Sequence, residues 1–399
     1  MTAPELAVGA SARPRAASPR RVAAVAAAVY AVLLGGLWYA HGIQGFIHVG
    51  SSFVARSTRS STITPKLQTE NRVGYDGQFY FYVAADPANA RYYLRKKAGY
   101  VYPRIVYPML ARTLALGRAG AVPYALLGIN FLAVVGAVLA LAIWLRRRST
   151  STWLALLYGL FPGLAYCVKC DLTEPLAFAL AIAAVVVLDG RGRYAVPAAA
   201  SLFSLAALTR ETTVVFPAVY AISLLLGGNG TLRERARVNA GRVALFSAVA
   251  FLPLVVDRIA FRLWLGASTI EPRSTGPWPF AGLASWWPWS TARWLVVLPV
   301  VLPGIAWGLA ALLALRRRRG CSELWLVLVN VLVFVVFLPA PVFVDYGSAG
   351  RAATGTVAAA VLSYPALRGL LAERSLSLLA LAWSPPAFAL ALFIVALAS

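Results

Sequence analysis

PYALLGINFLAVVGAVLALAIWL, from Pro123 to Leu145, carries no charge and stops at Arg146, Arg147 and Arg148. About 20 apolar residues cross the hydrocarbon core of a bilayer as a helix. The stretch therefore predicts a membrane span with a basic anchor at its end. Apolar and polar residues do not alternate along it, as they would in the wall of a membrane barrel. Backbone polar groups in lipid are satisfied only in helices and closed barrels, so a helix is what remains.

The rest of the chain repeats this pattern. Of 399 residues, 60% are hydrophobic and 13% charged. Hydropathy predicts an all-α protein, a polytopic transmembrane helix bundle of about 11 spans. They fall at 22–49, 123–145, 153–168, 175–188, 194–208, 213–226, 243–261, 294–315, 324–339, 352–371 and 376–398. Residues 1–21 read as a tail and 22–399 as the membrane domain, with a long first loop over 50–122 and a Trp-rich loop over 263–293.

The net charge of +23 does not point to nucleic acid. Most basic residues stand at the ends of apolar runs, which is what the positive-inside rule demands. Placing the N-terminus in the cytoplasm puts 19 of the 37 basic residues on the cytoplasmic side and only seven in the opposite short loops. The first span then reads as an uncleaved signal anchor in the plasma (inner) membrane, and the 50–122 loop faces outward. Three cysteines are too few for a disulfide framework. Cys167 and Cys170 stand one helical turn apart in a chain with only two histidines, so they read as small buried helix residues rather than zinc ligands. His41 and His48 read as polar residues on the bundle-facing side of the first span.

With only 14 acids, each can be placed. Glu70, Asp76, Asp86, Asp171, Glu174, Glu211, Asp257, Glu271 and Asp345 fall on the outer side, several at span ends, where charge is costly and usually functional. Bases accompany them. Lys169, Asp171 and Glu174 share KCDLTEP; Arg210 and Glu211 are adjacent in LTRET; Asp257 adjoins Arg258; Asp345 and Arg351 bracket VDYGSAGR. Ion pairs closing the bundle would explain any one of these. Four recurrences on one face favour a polar cavity that opens outward. Arginine suits a phosphate held by a bidentate fork, and a carboxylate beside it suits proton removal from a hydroxyl.

The first loop contains GYDGQFYFYVAADP, residues 74–87. Gly74 and Gly77 allow a tight turn and close approach. Asp76 stands where it would cap the QFYFYVAA helix, and Asp86 before Pro87 reads first as a helix-ending turn. The aromatics of QFYFYVAA suit the membrane interface. YPRIVYPMLARTLAL places Ile105, Met109 and Leu110 on one side and Arg104 and Arg112 on another, as in a helix lying in the interface plane. RYYLRKK, residues 91–97, adds a basic, aromatic surface for anionic membrane lipid.

GYDGQFY, YPRIVYP, KCDLTEP and LTRET together resemble the GT-C superfamily of membrane glycosyltransferases, closest to bacterial multi-span members with a YDGQFY-like first loop. The resemblance covers residues 22 to about 220; beyond that it rests on span count and Arg351. It implies a first outer loop with two interfacial helices and transfer of a sugar from a polyprenyl-phosphate donor to an acceptor hydroxyl of an envelope glycan, glycolipid or protein. It implies Asp76 as the catalytic base, with Tyr75, Gly74, Gly77 and Glu211 in support. Arg351, Arg210, Lys169 and Arg104 would hold the donor phosphate. GT-C members often carry two closely spaced acids; here Asp86, Asp171 and Glu174 are the alternatives for a second carboxylate. No cofactor is implied and no metal ligand is assigned, although Asp171 and Glu174 leave a divalent cation open.

Two other classes stay open on the residues alone. A lipid or sugar flippase or transporter would also need charges facing an outward cavity. A non-catalytic subunit of an envelope-glycan assembly complex would use PWPFAGLASWWPW to dock a partner, where an interfacial belt or a sugar-stacking platform are the other readings of that loop.

Overall fold

Helix follows helix through the computed structural model, which describes residues 17–54, 69, 73–190, 192–266, 268 and 278–398. No strand forms among them. Glu70, Glu271, Arg191, most of the N-terminal tail and part of each long loop lie outside the described residues.

The elements used below are α1 (Pro19–His41), α2 (Gly77–Ala85), α3 (Val106–Leu114), α4 (Val122–Arg147), α5 (Ala155–Gly159), α6 (Pro162–Lys169), α7 (Glu174–Leu188), α8 (Ala195–Thr209), α9 (Val215–Leu226), α10 (Leu232–Leu265), α11 (Leu302–Leu315), α12 (Ser322–Val331) and α13 (Tyr346–Leu367). Four helical stretches among the described residues are long and apolar enough to cross a membrane: Pro19–His41, Ala119–Arg147, Leu232–Leu265 and Arg293–Leu315. Two bent pairs, Thr152–Gly159 with Pro162–Lys169 (52°) and Glu373–Leu381 with Pro385–Ile394 (69°), bring the number to six if each is one span. The expected count of eleven is not reproduced. At 1.5 Å per residue, the 15-residue helices α7 and α8 are about 22 Å long and fall short of a hydrocarbon core on their own.

Several predicted boundaries move for local reasons. The first span does not continue to Val49. Gly42 at φ 68° takes the chain out of α1 after His41, and a short 3-10 turn follows. The span expected at 153–168 breaks between Gly159 and Pro162, where proline cannot continue the hydrogen-bond ladder. The span expected at 243–261 is the middle of α10, which starts at a Thr231–Glu234 capping box.

The centre of the bundle is α13, which touches α4, α6, α7, α11 and α12. It is built from small residues, with Ala353, Thr354, Thr356, Ala358 and Ala359 all fully buried. A Cβ on Gly163 of α6 would collide with the Gly350 carbonyl, so α6 and α13 meet backbone to backbone, as small residues permit in membrane bundles. Protein surrounds this helix on every side, so it is less apolar than a lipid-facing span without penalty. By contrast α10 leaves Leu252, Val255, Val256 and Leu263 at least half exposed, a surface that lipid would cover.

The first loop forms a second hydrophobic core. Tyr80, Phe81, Tyr82 and Val83 of α2 are buried with Tyr93, Tyr102 and Tyr107. The aromatic residues expected at the membrane surface are therefore inside protein, because α3 and residues 90–102 fold over them. The two-sided reading of 102–116 also changes. Ile105 and Met109 pack on this core, Leu110 and Leu114 are exposed, and Arg112 donates to the Ala84 and Ala85 carbonyls at the end of α2. Those carbonyls lack helical partners, and a cation satisfies them. Arg104 is buried before α3 begins.

Candidate functional site

Residues 74–78 form a turn clasped to residues 48–50. The Tyr75 N–H donates to the His48 carbonyl at 2.8 Å, the Gly50 N–H donates to Gln78 Oε1 at 3.0 Å, and Gln78 Nε2 donates to the Val73 carbonyl at 3.1 Å. Gly74 adopts φ 70°, and a Cβ there would strike the Gly50 nitrogen and the His48 carbonyl. A Cβ on Gly77 would strike the Cys170 carbonyl. Both glycines are thus required by close backbone approach, and the turn is held against the end of α6.

Asp76 occupies the N-cap position of α2, yet its side chain makes no capping bond. The carboxylate instead accepts from Arg351 NH1 at 2.9 Å. Arg351 stands in the second turn of α13, and its Nε donates to Glu174 Oε1 at 2.6 Å. Glu174, the first residue of α7, is fully buried, and its Oε1 also lies 3.1 Å from Arg210 NH1 at the end of α8. Four residues from four distant segments thus form one chain of charge, Asp76–Arg351–Glu174–Arg210. Beside it, Arg104 grips Glu211 through two hydrogen bonds of 3.0 and 2.6 Å, donates to the Tyr80 hydroxyl, and stacks on the Tyr100 ring. Arg258 approaches Glu211 at 3.4 Å.

The pairing runs across loops and not along them. Arg210 and Glu211 are neighbours in sequence, but one turns to Glu174 and the other to Arg104 and Arg258. Asp345 does not meet Arg351; it caps α13 by accepting from the Ser348 N–H at 2.7 Å.

Burial alone would raise the Asp76 pKa. The charge and hydrogen bond of Arg351 outweigh it, helped by Lys97 and Arg104, and hold the carboxyl below its ordinary value. Asp76 is therefore ionised at neutral pH. Burial also opposes the charge on Arg104, and Glu211 more than restores it.

Of the residues singled out in the sequence, Asp76, Tyr75, Arg351, Glu174 and Arg210 come together, with Arg104 and Glu211 beside them. The carboxylate that joins Asp76 in this cluster is Glu174. Asp86 is not part of it: that residue turns the chain after α2, accepting from the Asn89 side chain at 2.9 Å. Asp171 is fully buried with both carboxylate oxygens lacking a hydrogen-bond partner, and burial pushes its pKa well up. It does not line the cavity at Asp76. Lys169 points elsewhere, into a separate cavity. Among the described residues no three His, Cys, Asp or Glu side chains group as a metal centre.

Asp76, Arg210, Thr212, Arg351, Tyr100 and Ser348 line a cavity of about 140 Å³, and Phe334, Leu338 and Val342 add apolar lining. There α12 loosens into a π-helical stretch over Leu332–Val336, a distortion common at functional sites. Comparison with protein-family models, curated proteins and solved structures finds no match to this chain. The site stands on its own geometry. Ser348 was legible in principle, since it lies one helical turn from Arg351 on the same face. Tyr100 and Thr212 carry no such signal.

Proposed function

We propose that the cavity at Asp76 transfers a sugar from a polyprenyl-phosphate donor to an acceptor hydroxyl of an envelope glycan, glycolipid or protein on the outer side of the plasma membrane. The observation that carries this reading is the chain Asp76–Arg351–Glu174–Arg210, whose Asp76, Arg351 and Arg210 line a cavity together with the apolar Phe334, Leu338 and Val342. A lipid phosphate needs both kinds of lining: guanidiniums for the phosphate and apolar side chains for the first isoprene units.

Glu174 orients both guanidiniums. It takes Nε of Arg351 and NH1 of Arg210, which leaves their remaining N–H groups for phosphate oxygens. In the resting state Arg351 also engages Asp76. A donor phosphate competes for that guanidinium. Once released from Arg351, Asp76 regains basicity and takes the proton from the acceptor hydroxyl as the oxygen attacks the anomeric carbon. The carbon–phosphate-oxygen bond breaks on the opposite face, the polyprenyl phosphate leaves, and the anomeric centre inverts. Negative charge grows on the bridging oxygen, where preorganised cations act most strongly, on the scale of about 3 kcal/mol for one such donor.

The test is release of polyprenyl phosphate by the full-length protein in lipid nanodiscs, offered a panel of polyprenyl-phosphate sugars with envelope acceptors. Turnover of one donor, reduced by about 10²- to 10⁴-fold in Asp76→Asn, is the expected result. Equal turnover in the two proteins would remove Asp76 from its role.

A further inference from the structure

A second cavity shares no lining residue with the one at Asp76 and has no part in the transfer chemistry above. It measures about 330 Å³ and is lined by Leu37, His41, Gly45, Phe46, His48 and Lys169. Three of these six residues are basic and none is acidic. The cavity at Asp76 differs in kind, because there each guanidinium meets a carboxylate.

The fold assembles this lining from parts that a straight first span would keep apart. Gly42 ends α1 immediately after His41, and the 3-10 turn Ile43–Phe46 folds the chain back so that His48 faces the same space. His48 adopts φ 52°, a left-handed conformation that few non-glycine residues take. The clasp of its carbonyl to the Tyr75 N–H holds it there. Such outliers persist where the surroundings over-determine them, often at ligand sites. Lys169 arrives from the last residue of α6, exposed and directed to the same cavity. Leu37 and Phe46 supply an apolar side, and Trp38 and Tyr39 on the adjoining end of α1 are exposed, as aromatic residues are at a membrane surface.

We infer that this cavity is a second anion site, which takes the phosphate of an amphiphile, with Lys169 supplying charge and the two imidazoles supplying N–H donors. The apolar side is the reason to favour a lipid-borne phosphate over a free one. The inference does not rest on the proposed sugar transfer, since binding is read without turnover.

The experiment uses the full chain in phosphatidylcholine nanodiscs and a photoactivatable phosphatidic acid as probe, with cross-links mapped to peptides. Labelling within residues 37–48 is expected. It should weaken about fivefold in Lys169→Gln, the scale of one cation at a membrane surface, and more than about tenfold when His41→Gln and His48→Asn are added. Asparagine keeps the left-handed backbone accessible at position 48, and Lys169 is exposed, so the variants should fold. Competition by unlabelled phosphatidic acid but not by inorganic phosphate assigns a lipid. Equal competition by inorganic phosphate assigns the free anion to the same site. Labelling of 37–48 that is unchanged in the variants, or matched by a photoactivatable phosphatidylcholine, overturns the inference.

Discussion

Helix α7 begins at Glu174 and is followed by Asp189, and each of these carboxylates meets two arginines. Glu174 contacts Arg351 at 2.6 Å and Arg210 at 3.1 Å; Asp189 contacts Arg148 at 2.8 Å and Arg147 at 3.6 Å. The distances are alike, but the surroundings are not. Glu174 is 0% exposed, whereas the Asp189 side chain is 30% exposed and Arg147 47%. An exposed pair is screened by water and contributes little. Burying three charges costs several kcal/mol per ion before attraction returns any of it. A bundle that needed only closure would gain as much from apolar residues. Closure alone therefore does not account for the charge buried at the start of α7, whereas the exposed pair at its end costs little to keep.

The largest effect should come from breaking that contrast at its buried end. Glu174→Gln leaves two guanidiniums without their shared carboxylate and should cost about 3–5 kcal/mol, seen as a lower thermal midpoint in nanodiscs and loss of donor turnover. A change as small as that of an exposed pair would mean water already reaches Arg351 and Arg210.

The pH dependence sharpens the comparison next. Arg351 lowers the Asp76 pKa in the resting protein, so the stabilisation from that pair is present above the ordinary carboxylate range. It is lost only as pH falls through the lowered folded value. In the donor complex the phosphate replaces Asp76 on Arg351 and the carboxyl moves back up. The acid limb of kcat/KM, which reports the free protein, should lie at lower pH than the acid limb of kcat, which reports the complex. Coincident limbs would show that donor binding leaves the Asp76–Arg351 pair intact.

Asp171 offers a smaller effect of opposite sign. Burial raises its pKa in the folded chain well above the ordinary value of 3.8, at which the unfolded chain releases its proton. Its contribution to stability therefore falls as pH rises from there. Asp171→Asn removes that slope, and the thermal midpoint at neutral pH should stay level or rise. A clear fall would mean that the ionised form is used. Smallest of all, Asp189→Asn should shift stability by no more than about 1 kcal/mol and leave turnover untouched, by the same thermal and donor-release measurements.

Much of this is legible in the amino-acid sequence. The charge-free run before Arg146 announces a membrane helix because transfer to lipid depends on local composition. The GYDG turn announces a close approach because only glycine fits one. The scarcity of acids draws attention to Glu174 and Asp76, since a charge at a span end is expensive wherever it lies. Proximity in sequence misleads where long side chains choose among partners. Lys169 beside Asp171, and Arg210 beside Glu211, read as local pairs, and the fold divides them. QFYFYVAA reads as an interfacial helix because aromatics serve both an interface and a core, and only the fold shows that its rings are covered by protein.

The amino-acid sequence by itself determined that this chain is helical, that it belongs with membranes, and which few charged residues are candidates for chemistry. Those properties are sums over neighbouring residues, so they need no fold to be read. Tertiary structure alone decided which carboxylate answers which guanidinium, and that Lys169 lines a cavity apart from the one at Asp76. Glu174 and Arg351 are 177 positions apart, and a contact over that separation exists only once α7 and α13 have packed.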